Sequence, residues 1–489
     1  MLSKDIKIPK EVKSVVEKLE KAKFEAYIVG GCVRDLLNEV EPKDWDITTN
    51  AKPEEIQKIF PESFYENKFL TVTVKTESKD ERLKEIEITT YRLEARYTDK
   101  RHPDEIKFAK TLNEDLARRD FTVNALAFSE KSDLVDLFGG QKDLKDKVIC
   151  TVGKPQERFS EDALRMMRAV RFATTLGDEW KIEEKTAQAI EKNSFWLQAI
   201  SKERIRDEFL KIIMAKRAKQ GVELLRNLKL LRFIIPELEE GYKVSQNKHH
   251  IYDCYEHYLR SLDYAAKKDY NKYVRLAAFL HDIGKPRTKE GEGPDATFYN
   301  HEIVGAKMTT RVLNRLRFSK KDIEKIVKLV RYHLFYYNVD EVSEASVRRL
   351  VRNVGPENME ELLQVRYCDR IGSGCPKAEP YKLRHLKYII EKVSQDPISV
   401  TTLKVSGNDV MEILNIPPGP RVGQILSVLL GEILEDPKEN KKESLFKKVK
   451  NLGKLKEKGL QDLAQEAERE RQKIEIKRDE MTKKKYWVT

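Results

Sequence analysis

The sequence predicts an α+β protein, a mixed-sheet head followed by helical blocks, on three observations. Short β-rich runs, "LTVTVKT" (70–76) and "KEIEITTYR" (84–92), are interleaved with helical stretches only as far as about residue 155. From Ser160 onward helical apolar spacing dominates, as in "SEDALRMMRAVRFATTLG", "RIRDEFLKIIMAK" and "GVELLRNLKLLRFI". The 489 residues, 40% of them hydrophobic, can build several cores rather than one. The predicted domains are a head over 1–155, a helical neck over 156–245, a second helical body over 246–395 and a helical tail over 396–489.

The elements follow in order. "IPKEVKSVVEKLEKAKFEAYIVGG" (8–31) reads as an amphipathic helix, a turn and a strand ending in two glycines. "IKFAKTLNEDLARRDFTVNALAFSE" reads as strand, helix start and strand, and "LVDLFGGQKDL" runs into a turn. "IPELEEGYKVSQNKHH" separates the neck from the body, and "SQDPISVTTLKVSGNDV" marks the next boundary. "LNIPPGPRVGQILSVLLGEILED" is two helices around a Pro/Gly turn. Beyond "DPKENKKESL" the chain is almost wholly charged, a solvated helix or a partly disordered tail.

A net charge of +12 suits a polyanionic partner such as RNA or DNA, although lysine-rich chains are also simply well solvated. The five cysteines, Cys32, Cys150, Cys254, Cys368 and Cys375, are odd in number and form no CxxC pair. A disulfide framework and a thiolate zinc site are therefore not indicated, which fits a cytoplasmic protein. "MLSKDIKIPKEVKSV" lacks the apolar core of a signal peptide, and no apolar run is long enough to cross a membrane. No protein partner can be inferred.

The stretch "YIVGGCVRDLLNEVEPKDWDITT" (27–49) concentrates chemistry. Gly30 and Gly31 let backbone N–H groups approach an anion, and Arg34, one turn on, can hold a triphosphate oxygen. A lone glycine pair marks a turn just as well. Asp44 and Asp46 lie two apart, so on a strand they share a face and repel unless a cation joins them. Carboxylate oxygens favour Mg²⁺, which keeps waters and takes phosphates. Glu87 is a possible third carboxylate on a neighbouring strand, sharing a face with Glu85, and a solvated face explains it equally.

"GGCVRD" (30–35), "DWDITT" (44–49), "LARRDFTVNALAF" (116–128) and "ERFSEDALRMMRAVRFA" (157–173) occur in this order. With them the sequence resembles a class II nucleotidyltransferase of the tRNA CCA-adding and bacterial poly(A) polymerase family, over about residues 20–240. The resemblance implies a polymerase-β-like nucleotidyltransferase head, a helical neck and body, and tRNA bound along the molecule. It also implies ribose and triphosphate contacts at Arg118, Arg119 and Asp120, with Asn124 orienting the turn. "RLEARYTDKRHPDEIKF" resembles the family's mobile loop, with Arg92, Tyr97, Asp99, Arg101 and Pro103 at matching places.

In "SEDALRMMRAVRFA", Ser160 is the expected N-cap, with Glu161 and Asp162 in the first turn. Met166, Met167, Val170 and Phe172 spread apolar surface around this helix, so its arginines need partners. A nucleotide supplies them. Cytosine and adenine both show an amino donor beside a ring-nitrogen acceptor, and uracil and guanine show the reverse. Asp162 accepting from the amino group and Arg165 donating to the ring nitrogen would take C and A. The two lie about 60° apart on a helix, close enough to share a base, and the family assigns the matching residues that role. Arg171 faces the opposite way, towards phosphates or the primer, and Arg168 is intermediate.

"FLHDIGKP" (279–286) follows an apolar helix and resembles the HD phosphohydrolase superfamily, so the body is expected to be HD-type. The resemblance offers His257, His281, Asp282 and Asp369 as ligands of a second divalent metal, with His301 and His333 as extra ligands or phosphate contacts. A degenerate helical scaffold is the other reading. "PPGPRVGQIL" resembles the family's C-terminal turn near the tRNA arm. The lysines of "KKVKNLGKLKEKG" and "MTKKKYWVT" either grip phosphate or are simply solvated.

The expectation is a tRNA nucleotidyltransferase adding C and A from CTP and ATP without a template, with Mg²⁺ on Asp44 and Asp46. CC-adding, A-adding or poly(A) activity, an HD phosphohydrolase with a spent head, and a non-catalytic tRNA scaffold are the alternatives.

Overall fold

The computed structural model describes residues 7–66, 71–95, 105–247, 250–394, 400, 403–435 and 437–488. It has two compact units. The first comprises 1–334 and 360–376, and the second 335–359 and 377–489. Tyr97, Asp99, Arg101 and Pro103 lie outside the described residues.

The first unit begins with α1 (Lys10–Lys21), β1 (Ala26–Val29), α2 (Gly31–Leu37), β2 (Asp46–Thr49) and α3 (Pro53–Ile59). Strands β3 (Ser63–Glu66), β4 (Thr71–Lys75) and β5 (Glu85–Thr90) follow. Then come β6 (Arg92–Ala95), β7 (Glu105–Phe108), α4 (Leu112–Ala117), β8 (Leu126–Ser129), β9 (Asp133–Asp136) and α5 (Gly140–Lys145). Seven strands form a mixed sheet in the order β3-β4-β5-β2-β1-β8-β9, and β6 and β7 make a separate ribbon. The one parallel pair of the large sheet, β2 with β5, sets Asp46 beside Glu87. Alternation decides the faces: Ile86 and Ile88 enter the core with Ile47, Val72 and Val74, while Glu85 and Glu87 take the other face. Helix α1 covers that core with Val12, Val15 and Leu19, a stripe at helical spacing.

Helices then take over: α6 (Pro155–Glu161), α7 (Leu164–Thr175), α8 (Glu184–Asn193), α9 (Lys202–Ile213), α10 (Ala218–Asn227) and α11 (Leu231–Ile234). The body continues with α12 (Cys254–Lys267), α13 (Lys272–Leu280), α14 (Lys285–Thr288), α15 (His301–Arg315) and α16 (Lys320–Tyr332). Side chains cap several starts, Asp253 on α12, Asn271 on α13 and Ser319 on α16. In the second unit lies α17 (Glu344–Val354), after which α18 (Met359–Gly372) returns the chain to the first. The second unit also holds α19 (Tyr381–Ser394), α20 (Gly407–Leu414), α21 (Pro420–Glu435), α22 (Lys442–Leu452) and α23 (Glu457–Lys485). The Pro/Gly turn falls between α20 and α21, as its composition predicts, and the charged C-terminal stretch is helical.

One expected element is different. Ser160 does not cap a helix: α6 already starts at Pro155, and the Ser160 hydroxyl donates back to the Glu157 carbonyl at 2.7 Å. Asp162 then breaks the helix with φ −137° and ψ 106°, and α7 begins at Leu164. Asp162 turns its carboxylate onto the Leu164 amide at 3.0 Å, the local side-chain bond with which aspartate competes against helix. The helical-wheel angle between Asp162 and Arg165 therefore does not apply.

Candidate functional site

The head site starts where β1 ends. Gly30 has φ +86°, and a Cβ there would lie 2.9 Å from Arg119 Nη1 and 3.7 Å from Asp46 Oδ2. Glycine is needed both for the turn and for the close approach of Arg119. Asp46 opens β2, with Glu87 beside it on β5 and Asp44 just before the strand. Burial pushes the Asp46 carboxyl up to about 6; Arg119 opposes this, and the carboxylates of Glu87 and Asp44 add to it. Burial and then Asp44 raise Glu87 in the same way. Asp44, Asp46 and Glu87 thus act on one another electrostatically, with Arg119 opposing them at Asp46, and such oxygen donors suit a hard divalent cation, although their oxygens do not all lie within 4.8 Å of one another as those of the body cluster do.

The two arginines are set from beneath by Asp115, which is wholly buried. Its carboxylate accepts from Arg118 Nε at 3.0 Å, Arg119 Nη2 at 3.4 Å and the Thr48 hydroxyl of β2 at 3.3 Å. It also meets the Arg92 amide at the base of the ribbon, at 3.4 Å. Burial works against the charge on Asp115, but Arg118 and Arg119 hold its carboxyl below the usual range.

Other predicted residues form a chain of hydrogen bonds and ion pairs. Arg34 is buried; its Nη1 donates to Asn124 Oδ1 at 2.6 Å and its Nε to Asp35 at 2.8 Å. Asn124 Nδ2 donates to Asp120 Oδ1 at 3.2 Å, and Arg168 Nε to Asp120 Oδ2 at 2.6 Å. Asn124 thus bridges Arg34 and Asp120 within the turn. The arginines of α7, Arg165 buried and Arg168 and Arg171 partly exposed, each have a protein carboxylate as partner. Arg165 pairs with Glu161 at 2.6 Å, Arg168 with Asp120, and Arg171 with Glu208 of α9 at 2.6 Å. Arg165 Nη2 also donates to the Arg118 carbonyl at 3.0 Å, tying α7 to the arginine turn. Asp162 is met by Arg204 of α9, Nη2 to Oδ2 at 2.7 Å and Nη1 to Oδ1 at 3.3 Å. Asp115, Arg204 and Glu208 were not singled out in the sequence: the spacing of Asp115 three and four residues before Arg118 and Arg119 was a usable signal, whereas no local spacing marks the partners of Arg204 and Glu208, about forty residues away.

The second cluster lies among α12, α13, α15, α16 and α18. His257 Nε2 sits 2.9 Å from His281 Nε2 and 3.1 Å from Asp282 Oδ2. His301 and His333 point their Nε2 atoms at Asp282 Oδ1, at 3.3 and 3.4 Å. Asp369 Oδ1 lies 3.5 Å from His257 and 3.6 Å from His281. The Nδ1 atoms of His281, His301 and His333 face the carbonyls of Ala278, Phe298 and Val330 at 2.7–2.8 Å. Those contacts turn the three Nε2 atoms inward. Imidazole nitrogens and two carboxylates gathered so closely form a donor set that fits a divalent metal. Burial disfavours charge on Asp282, but His281 and Lys285 hold its carboxyl far down, as Arg366 and His281 do for Asp369. Two sets of ligand-type atoms within 4.8 Å of one another occur among the described residues, both here, and one includes His250. Lys285, 2.6 Å from Asp282 and 2.7 Å from Gln246, closes the cluster. Its place one turn after Asp282 in "HDIGK" was a usable signal; His250 had none.

Comparisons with known proteins agree with this division of chemistry. A Poly A polymerase head domain matches residues 26–150, a probable RNA and SrmB-binding site of polymerase A matches 180–241, and an HD domain matches 254–372. The chain is 33% identical over 452 residues to the CCA-adding enzyme of Ligilactobacillus salivarius, covering 91% of this chain and 98% of that one. It is 34% identical over 349 residues to the A-adding tRNA nucleotidyltransferase of Deinococcus radiodurans, covering 68% of this chain and 78% of the relative. Of other CCA-adding relatives, 51% identical over 208 residues, the chain spans about half the length, 51%. The crystal structure of the Bacillus stearothermophilus CCA-adding enzyme in complex with CTP superposes with a TM-score of 0.59 at 25% identity, over 91% of this chain and 98% of that one.

Proposed function

The chain belongs to the CCA-adding tRNA nucleotidyltransferase family, and from that premise we propose that it adds C and A to the 3′ end of tRNA from CTP and ATP without a nucleic-acid template. One arrangement carries the reading. Asp46 and Arg119 flank Gly30, Arg118 precedes Arg119 in the same turn, and the Arg118 carbonyl accepts from Arg165, three residues on from Asp162. Metal carboxylates, phosphate-facing cations and a base-reading pair are thereby joined in the order in which a nucleoside triphosphate presents its parts.

Asp44 and Asp46, with Glu87 alongside, would hold Mg²⁺. Bound there, the ion would activate the primer 3′-hydroxyl and stabilise the leaving pyrophosphate. The chain's own work is positioning. Arg118 and Arg119, fixed by Asp115, present charge to the triphosphate and ribose. Asp120, Asn124 and Arg34 set the turn, with Gly30 and Gly31 at its floor. Asp162 accepts the base amino group and Arg165 donates to the ring nitrogen. Arg168 and Arg171 serve by holding α7 to the head and to α9. The division into head 1–155, neck 156–245, body 246–395 and tail 396–489, and a cytoplasmic location in which the five free cysteines stay reduced, belong to the same proposal.

Incubation with tRNA lacking CCA, with CTP, ATP or both, tests the reading. Addition of C, C and A and then arrest is expected. Arrest at CC, addition of A alone to tRNA ending in CC, or a long A tail would replace it with one of the partial activities. The buried His257–His281–Asp282–Asp369 cluster favours a second divalent metal, and release of phosphate from phosphoesters by this site is assayed separately with Asp46→Asn protein.

A further inference from the structure

We infer that Arg204 determines base selectivity as a positioning residue: it clamps Asp162 so that a single acceptor position of the carboxylate remains for an incoming base. The inference rests on the base-reading role proposed above for Asp162 and Arg165.

Asp162 sits in the extended break between α6 and α7, so no helical register holds its side chain. Its Oδ1 accepts the Leu164 amide at 3.0 Å and Arg204 Nη1 at 3.3 Å, and its Oδ2 accepts Arg204 Nη2 at 2.7 Å. An ionised carboxylate has about four lone-pair positions. These three contacts leave one, on Oδ2. The Watson–Crick edge of cytosine or adenine brings one amino N–H to that place. Uracil and guanine bring a carbonyl oxygen instead, which meets an oxygen and finds no donor.

Without Arg204 the Leu164 amide would pin one oxygen only. The terminal torsion of aspartate is broad, so the carboxylate would swing and the match of one acceptor to one donor would be lost. Arg204 is well suited to the clamp. Its planar fork binds a carboxylate through two parallel N–H bonds, which a lysine cannot reproduce. It projects from α9, which packs on α7 in the same unit. Arg165, the other arm of the reader, is held differently, by Glu161 of the preceding turn and the Arg118 carbonyl. The two arms are thus set independently, and Arg204 acts on the acceptor arm alone.

The test compares wild type, Arg204→Gln, Arg204→Lys and Asp162→Ala. Equilibrium binding of CTP and UTP, and of ATP and GTP, is measured without tRNA and so is readable even in a variant that turns over slowly. Single-nucleotide addition to tRNA gives kcat and KM. Arg204→Gln is expected to lower the CTP-over-UTP preference about tenfold, as for loss of one well-oriented base contact. Arg204→Lys should fall in between, and kcat at saturating CTP should change less than the preference. Equal weakening of CTP and UTP by Arg204→Gln would overturn the inference while a collapsed preference in Asp162→Ala left the base reader standing. An unchanged preference in Asp162→Ala would overturn the base-reading assignment itself, and the inference with it. Thermal unfolding of each variant identifies any that has not folded; the lysine variant then carries the comparison.

Discussion

Arg168 Nε donates to Asp120 Oδ2 across 2.6 Å and so joins helix α7 to the turn that carries Arg118, Arg119 and Asn124. This pair ties the neck to the head's arginine turn. Burial would raise the Asp120 carboxyl, but Arg168 and Arg165 draw it down to about 2. Between about 2 and the ordinary value of 3.8 the folded chain binds fewer protons than the unfolded one. The stability from this carboxylate is therefore complete above about pH 4 and lost as pH falls towards 2. Asp120→Asn is expected to cost about 2 kcal/mol at pH 7. Urea unfolding at pH 7 and at pH 3 should show the gap from wild type narrowing at the lower pH.

Gly30 and Gly139 both have positive φ, +86° and +78°, but Gly139 is in the left-handed helical region (ψ 23°) whereas Gly30, with ψ −134°, is in a region that side-chain-bearing residues hardly enter. A Cβ at Gly30 would also meet Arg119 at 2.9 Å, whereas at Gly139 nothing lies within 4 Å. Gly139→Ala should cost about 1 kcal/mol, the backbone penalty alone. Gly30→Ala should cost more, about 2–3 kcal/mol, because its backbone lies outside the left-handed helical region, and it should also displace Arg119, raising KM for CTP. Parallel urea titrations and initial rates separate the two effects.

Asp46→Asn is predicted to lower the single-turnover rate of CTP incorporation by about a thousandfold or more, since the metal loses a ligand at the reacting phosphate. The same variant removes one charge from the repelling set Asp44, Asp46 and Glu87. In EDTA it should unfold at a higher temperature than wild type, so the site holds its charge at a cost to the fold. Calorimetry with and without Mg²⁺ checks this.

His281→Ala is expected to abolish retention of divalent metal by the body, read by elemental analysis after gel filtration. Incorporation of CTP should persist, because this cluster shares no residue with the head site. Asp282→Ala should in addition destabilise the body: it leaves four imidazoles and Lys285 around a hole where the common acceptor stood.

Much of this was legible along the chain. The periodicity change near Ser160, the glycine pair, the two-residue spacing of Asp44 and Asp46 and the adjacent His281 and Asp282 are local patterns, and local backbone geometry acts on them directly. Short range also misled once. "SEDALRMMR" scans as one helix from Ser160, yet the Asp162 side chain captures the Leu164 amide and interrupts it.

The sequence by itself determined which chemistry was available: carboxylates for a hard cation, arginines for phosphate, an acceptor and a donor for a base edge, and histidines for a second metal. Tertiary structure alone decided the pairings. The parallel register of β2 and β5 put Glu87 beside Asp46, and the packing of α9 on α7 put Arg204 on Asp162 and Glu208 on Arg171. Spacing within one element obeys a fixed rise and twist. A bond between side chains forty residues apart depends on how whole elements pack, and no local pattern carries that information.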